Sequence, residues 1–259
     1  MLTKEDIKDI NLRIIDIVIV VAIRAVFAFI IGIIAVLIML PMNSHHIFST
    51  PEDIISFFLE MSQSSQFTFS CLRTICTIIS LIIIPVVWIK FGRQCKLSDI
   101  GLKTQNWMPN FSIGLLAGSV FFVCWLLLVT LLKMVLVPIS TSDLTINSQS
   151  FMLLLLGLID TMIIAPIGES ILFIGLIFTA FARKVGLQFS IVITAALFMI
   201  AHIGKIMRFD SFEIMLIAFF LNMVVQLWLY CERKSLLTPI GFHMAYNFIV
   251  FTTTFFWGQ

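Results

Sequence analysis

The sequence predicts an all-α, multi-pass membrane protein of about eight helices, with seven as the alternative count. Of its 259 residues, 60% are hydrophobic and only 12% are charged, whereas about a quarter of the residues in a soluble domain are charged. The mean hydropathy is +1.12. Long apolar runs such as residues 75–84 do not alternate with polar residues, as the strands of a membrane barrel would.

The N-terminal part, residues 1–150, is expected to contribute three membrane helices. A polar segment, residues 1–13, has apolar positions typical of a short amphipathic helix. Lys and Arg gather there and in residues 90–108, so both segments are predicted to be cytoplasmic and the loops at 41–66 and 138–150 to face outside. The three spans are predicted at about residues 17–40, 67–89 and 111–137.

The C-terminal part, residues 151–259, is expected to form the functional core of one integral membrane domain, residues 1–259. Pro166 favours a break that would divide residues 151–182 into two elements, 151–165 and 167–182. Glu169 would then start a new helix, at the same depth as His202 in the next one. One long helix is the alternative, favoured by the charge bias of the loops. Further spans are predicted at about residues 187–204, 212–230 and 236–257.

Four polar residues interrupt these apolar stretches: Glu169, His202, His243 and Asn247. An ionisable group at membrane depth usually faces a protein interior or a wet cavity and has a function. An acid and an imidazole can activate water, and His243 and Asn247, four residues apart, can donate to one point. The structural alternatives are a capping Glu169, an interfacial His202 and a His–Asn pair that joins helices.

Other features restrict the class of function. The net charge of +2 says little about partners, but no basic cluster suggests nucleic-acid binding, and the five scattered Cys imply no disulfide framework. Asp160 is predicted to pair with Arg24 or Arg73. Asn222 and Gln226 are predicted to bridge helices rather than bind substrate.

The order and spacing of the polar residues resemble the CAAX protease and bacteriocin-processing family (CPBP, or Abi) of intramembrane endopeptidases. The resemblance covers about residues 150–250, and its third motif, with its flanking residues, is the most specific. The family motifs EExxxR, FxxxH and HxxxN correspond here to Glu169-Ser170…Ile174, Phe198…His202 and His243…Asn247.

This resemblance implies that Glu169 and His202 activate water for hydrolysis of a peptide bond, without a covalent enzyme intermediate. His243 and Asn247 would stabilise the oxyanion. No cofactor is expected; zinc bound by Glu169, His202 and His243 is the alternative that these side chains allow. The expected partners are the lipid bilayer and a peptide or protein tail at the membrane. The protein is expected in a bacterial plasma membrane. Its expected roles are processing of a bacteriocin or signal peptide, or self-immunity.

The first motif departs from the family pattern, because Ser170 and Ile174 replace its second Glu and its Arg. Joint loss of an ion pair leaves no stranded charge and is often near neutral for stability. The fold is therefore expected to persist. A catalytically weakened or inactive protein that binds membrane peptides or gives immunity is the alternative function, and a transporter is a weaker one because the sequence shows no inverted repeat.

Overall fold

The predicted all-α class is confirmed. A computed structural model describes residues 2–39, 66–103, 105–136, 151–207 and 212–257, and no strand occurs among these residues. Apart from residue 66, the loops predicted at 41–66 and 138–150 lie outside the described residues. The helices are α1 (Lys4–Lys8), α2 (Ile14–Met39), α3 (66–92), α4 (Trp107–Leu136), α5 (151–185), α6 (Leu187–Ala201), α7 (Ile203–Ile206), α8 (Phe212–Arg233) and α9 (Leu237–Trp257).

Five of the described helices are long and apolar enough to cross a membrane: α2, α3, α4, α5 and α8. Helix α6 is also apolar but shorter, with 15 residues. Large hydrophobic side chains point outward from these helices; Phe29 is 71% exposed and Leu116 is 68% exposed. Such a surface is stable against lipid, so the chain is a multi-pass integral membrane protein.

The predicted break after Pro166 is wrong, and the count of eight helices is not confirmed. Helix α5 continues through Pro166, with helical backbone angles at Ile164 (φ −71°, ψ −50°) and Ala165 (φ −61°, ψ −50°). A π-helical stretch, Asp160–Ile164, ends two residues before the proline. The wider turn of this stretch accommodates the Pro166 ring, which in a regular α-helix would clash with the backbone carbonyl four residues before it. Glu169 therefore lies inside a long helix rather than in a first turn.

The long helix still places Glu169 and His202 at one depth. The link between α5 and α6 is Gly186, whose φ of +87° suits glycine. Glu169 lies 17 residues before Gly186 and His202 lies 16 residues after it. Helices rise about 1.5 Å per residue. Because the segments on the two sides of Gly186 are nearly equal in length, Glu169 and His202 lie at the same level. The prediction that a break is needed to bring Glu169 and His202 to one depth was therefore wrong, because the turn at Gly186 is sufficient.

Helices α4 and α9 approach closely through glycines. Gly114 and Gly118, four residues apart on α4, lie against the backbone carbonyls of Thr238 and Phe242, where a side-chain carbon would collide. Gly241 on α9 lies against α4 in the same way. Small residues at this spacing let membrane helices pack backbone to backbone. This packing fixes α9 beside the centre of the protein.

Helix α3 supports α5 from the other side. A Cβ at Gly168 would lie 2.5 Å from the Cβ of Leu81, so glycine allows this approach next to Glu169. The Arg73 guanidinium lies 3.3 Å from the Asp160 carboxylate and links the same two helices. The predicted pairing of Asp160 is thus confirmed, with Arg73 as its partner.

The N-terminal segment docks onto the membrane core, which confirms the predicted amphipathic helix. Thr3 and Asp6 form a reciprocal capping box at the start of α1. Ile7 is 1% exposed and belongs to the hydrophobic core. The Lys234 ammonium donates to the Asp6 carboxylate at 2.8 Å, and the Leu2 amide donates to the Cys231 carbonyl. The polar edge of this helix therefore holds the end of α8 in place.

Replacing Gly118 by Ala tests the α4–α9 packing. The added methyl meets the Phe242 carbonyl, so we expect Gly118→Ala to lower the free energy of unfolding by about 1–3 kcal/mol. Gly157→Ala is the matched control, because Gly157 also lies in a helix and has no described neighbour within 4 Å. Thermal unfolding in detergent should show loss of stability in the first variant only; equal stability would contradict the packing.

The contact between Asp6 and Lys234 predicts a pH dependence. The Lys234 ammonium, followed by Thr3, holds the pKa of the Asp6 carboxyl below its ordinary value of 3.8. A carboxyl with a depressed pKa in the folded state stabilises the fold fully above its ordinary pKa, and this contribution is lost as the pH falls from that value through the lower pKa of the folded state.

We therefore expect the stability difference between the native protein and Asp6→Asn to shrink as the pH falls from about 5 to about 2. Glu5→Gln, a change of an exposed acid on the same helix, controls for loss of a charge. A difference in melting temperature that stays constant over this range would refute the contribution of the pair.

Candidate active site

One cavity collects the four residues that the sequence analysis singled out. Its volume is about 440 Å³, and α5 to α9 all contribute to its wall. Glu169 comes from α5, His202 follows α6, and His243 and Asn247 lie on α9. The structure thus brings these side chains together, while their catalytic roles stay a prediction. The other lining residues are Asp160, Thr161, Ala165, Phe198, Lys205, Met215, Ala218, Phe219, Asn222, Tyr246 and Val250.

The Glu169 carboxylate lies between two imidazole rings. Oε1 is 3.6 Å from Nε2 of His202, and Oε2 is 3.9 Å from Nε2 of His243. Glu169 is only 9% exposed, and Oε2 accepts no hydrogen bond from the described residues. Both distances exceed that of a direct hydrogen bond. Polar groups at this separation can instead share a bridging water.

The end of α6 orients the His202 ring. The His202 backbone N–H bonds to the Met199 carbonyl at 3.0 Å, which leaves the Phe198 carbonyl available to the side chain. Nδ1 of His202 lies 2.9 Å from that carbonyl and donates to it. In a neutral ring the proton on Nδ1 makes Nε2 an acceptor. The Phe198 and Phe219 rings, with centroids 4.3 and 5.1 Å from the imidazole, hold it in this orientation.

Helix α9 supplies two further polar groups. His243 is 7% exposed, and its Nδ1 has no hydrogen-bond partner among the described residues. Asn247 donates from Nδ2 to the Thr161 carbonyl at 2.8 Å, within the π-helical stretch of α5. An amide nitrogen carries two N–H donors. One donor therefore anchors Asn247 to α5, and the other remains for a ligand.

Sequence reasoning misplaced one polar pair. Gln226 donates from Nε2 to Oδ1 of Asn222 at 2.6 Å, both lie on α8, and within the described part of the chain neither side chain bonds to another helix. Asn222 also lines the cavity. The spacing of four residues on one helix face was the available signal, since side chains at this spacing are neighbours. Lys205, three residues after His202, was likewise not assigned to the cavity.

The two positions that depart from the family motif are buried. Ser170 is 1% exposed and Ile174 is 0% exposed. Ile174 packs in the hydrophobic core, and the Ser170 hydroxyl has no hydrogen-bond partner among the described residues. An apolar group thus occupies the place of the motif Arg. Both positions lie in the second π-helical stretch of α5, Ser170–Phe178.

No group of three His, Cys, Asp or Glu side chains in the described parts of the chain is arranged to hold a metal ion. The two rings and the carboxylate of the alternative zinc set, Glu169, His202 and His243, nevertheless face one another across the cavity. Metal-free and zinc-assisted chemistry both therefore stay predictions for this site.

Taken together, the fold and the site define a multi-pass membrane protein with an acid–imidazole cavity inside its helices. Residues 147–249 match the model of the Rce1-like family, described as type II CAAX prenyl endopeptidase Rce1-like. This confirms the predicted resemblance for that part of the chain, which contains all four polar residues. At a coarse level the match indicates an endopeptidase that acts on peptides at the lipid bilayer. Comparison with curated proteins and with solved structures gives no match.

Burial at Ser170 and Ile174 makes a double-mutant test possible. Ser170→Glu places an unpaired carboxyl where the native side chain is 1% exposed, so we expect a loss of about 3–5 kcal/mol in the free energy of unfolding. Adding Ile174→Arg supplies a partner four residues away and should recover part of that loss. Thermal unfolding of both single variants and the double variant measures the coupling; additive losses would show that the two positions do not interact.

Proposed function

We propose that this protein is an intramembrane endopeptidase that hydrolyses a peptide bond near the membrane by means of water activated by Glu169 and His202. The observation that supports this most strongly is the position of the Glu169 carboxylate between the Nε2 atoms of His202 and His243. The cavity around them is large enough for a peptide segment together with water. Short peptides and protein tails at the membrane surface are the proposed substrates.

The proposed reaction uses the geometry as follows. A water held between Glu169 and Nε2 of His202 gives a proton to Glu169, and its oxygen attacks the peptide carbonyl carbon. His243 and Asn247 donate to the oxyanion that forms. Glu169 then passes the proton to the departing amine as the C–N bond breaks. The products are a carboxylic acid and an amine, and no covalent enzyme intermediate is needed.

Two features support these roles. Nε2 of His202 is an acceptor because its Nδ1 donates to Phe198, so it can orient a water hydrogen away from the attacking lone pair. Asn247 is fixed by its bond to Thr161, so its second N–H is already oriented before a substrate binds. Donors that are fixed in advance stabilise a developing charge without reorganisation.

The biological setting is part of the proposal. A bacterial plasma membrane with a cytoplasmic N-terminus, and a three-helix part followed by the catalytic core, fit the charge pattern and the match over residues 147–249. Processing of a bacteriocin or signal peptide, or self-immunity, are the proposed roles. A catalytically weakened protein that binds membrane peptides in the same cavity is the second candidate, favoured by the loss of the motif ion pair at Ser170 and Ile174.

Substitution of the acid and the imidazole tests the catalytic role. We expect Glu169→Ala and His202→Ala each to lower the rate of hydrolysis of membrane-associated peptides by at least about 100-fold, because each removes a group that activates water. Glu213→Ala is the matched control, since Glu213 is an exposed acid outside the cavity. Folded Glu169→Ala protein with native activity would exclude this mechanism.

The metal content distinguishes the two chemistries. If Glu169 and His202 activate water without a metal, purified active protein should contain far less than one equivalent of zinc, and a chelator should leave its activity unchanged. Metal analysis by mass spectrometry together with assays in chelator measures both. One equivalent of zinc, lost together with activity and restored by adding zinc, would favour the alternative set of Glu169, His202 and His243.

A further inference from the structure

Asn222 has a buried amide group that the proposed reaction does not use. Its side chain lines the same cavity as Glu169 and is only 5% exposed. Nδ2 of Asn222 has no hydrogen-bond partner among the described residues. Leaving a buried donor unsatisfied costs about 1–3 kcal/mol, so such a group in a cavity wall is expected to meet a ligand.

The orientation of this amide is fixed from behind. Gln226, one turn further along α8, donates to Oδ1 of Asn222 at 2.6 Å. Gln226 is 0% exposed and does not line the cavity. Because the oxygen end of the Asn222 amide is occupied by this bond, the nitrogen end is the one available to a bound molecule.

The surroundings of Asn222 indicate the chemistry of that molecule. Met215, Ala218 and Phe219 precede it at helical spacing and line the same cavity, so α8 presents an apolar wall that ends in one amide. An extended peptide suits such a wall, since its side chains can contact apolar groups while its backbone carbonyls need donors. Asn247 cannot supply every donor, because one of its N–H groups is bound to Thr161.

We propose that Asn222 is a substrate-binding residue whose Nδ2 donates a hydrogen bond to a backbone carbonyl of the bound peptide, with Gln226 as its positioning residue. This inference rests on the proposed function, because it requires a peptide in the cavity. It assigns α8 the task of aligning the peptide against Glu169. Catalysis of the proton transfers stays with the residues of α5, α6 and α9.

The test compares Asn222→Ala with Gln226→Met in purified full-length protein. Both variants remove the bond between the two side chains, but only Asn222→Ala removes the donor in the cavity. We expect Asn222→Ala to lower kcat/KM for a membrane-associated peptide by about tenfold, the effect of one hydrogen bond, and Gln226→Met to lower it less. Equal losses in the two variants, or a change of less than about twofold in Asn222→Ala, would overturn the proposal.

A second measurement separates this inference from the proposed function. Glu169→Gln should abolish hydrolysis, and a fluorescent peptide can then be titrated onto the uncleaving protein with and without Asn222→Ala. Weaker binding by about tenfold in the double variant supports the role of Asn222, and unchanged binding overturns it. If Glu169→Gln still hydrolyses the peptide, the catalytic proposal fails, while the effect of Asn222→Ala on kcat/KM still tests the binding role.

If Asn222→Ala does not fold, Asn222→Asp tests the same hydrogen bond. Aspartate has the shape of asparagine and can still accept from Gln226, but an ionised side chain cannot donate. Folded Asn222→Asp protein should show the same tenfold loss of kcat/KM, about the effect of one hydrogen bond. Native kcat/KM in that variant at alkaline pH, where the aspartate is ionised, would show that no donor is needed at this position and would overturn the proposal.

Discussion

The carboxylate of Glu169 is the constraint around which the rest of the protein is arranged. A carboxylate at membrane depth is costly unless polar partners or water stabilise it. Glu169 lies inside the longest described helix and is 9% exposed. Two imidazoles face its two oxygens, and a cavity gives water a place beside them. Three packing features position the helices that surround Glu169.

Each of those features comes from a different helix pair. The turn at Gly186 returns α6 so that its end reaches the level of Glu169, and the glycines of α4 let α9 come close enough to present His243. Gly168 lets α3 pack directly behind the acid. The glycines thus allow the helix backbones to approach more closely than any larger residue would permit. The site depends on these contacts as much as on its own side chains.

Much of this arrangement is predictable from the sequence, because hydropathy and helical spacing are local properties. The seven hydrophobic stretches correspond to α2–α6, α8 and α9, and the isolated polar residues within them mark the cavity. The course of the chain at Pro166 is not predictable in this way. Proline usually ends a helix, and only the π-helical stretch before it, a feature without a sequence signature here, lets α5 continue.

The sequence predicts the contact between helices at Asp160 and Arg73, but it does not predict the partner of Asn247. The bond from Asn247 to the Thr161 carbonyl depends on how α9 packs against α5. Burial of Ser170 and Ile174, in contrast, agrees with the reasoning that joint loss of an ion pair leaves a neutral and stable interior. The cavity therefore forms with Ser170 and Ile174 at these two motif positions.

Cross-linking in the membrane tests most directly whether the acid and the two rings share one site. In a variant without the five native cysteines, Glu169→Cys would be combined with His202→Cys or with His243→Cys and treated with a thiol reagent of short span. Mass spectrometry should detect a link in both pairs, and none when Glu169→Cys is combined with Trp228→Cys on the exposed face of α8. Folded protein in which neither of the first two pairs reacts would contradict the shared cavity and the function derived from it.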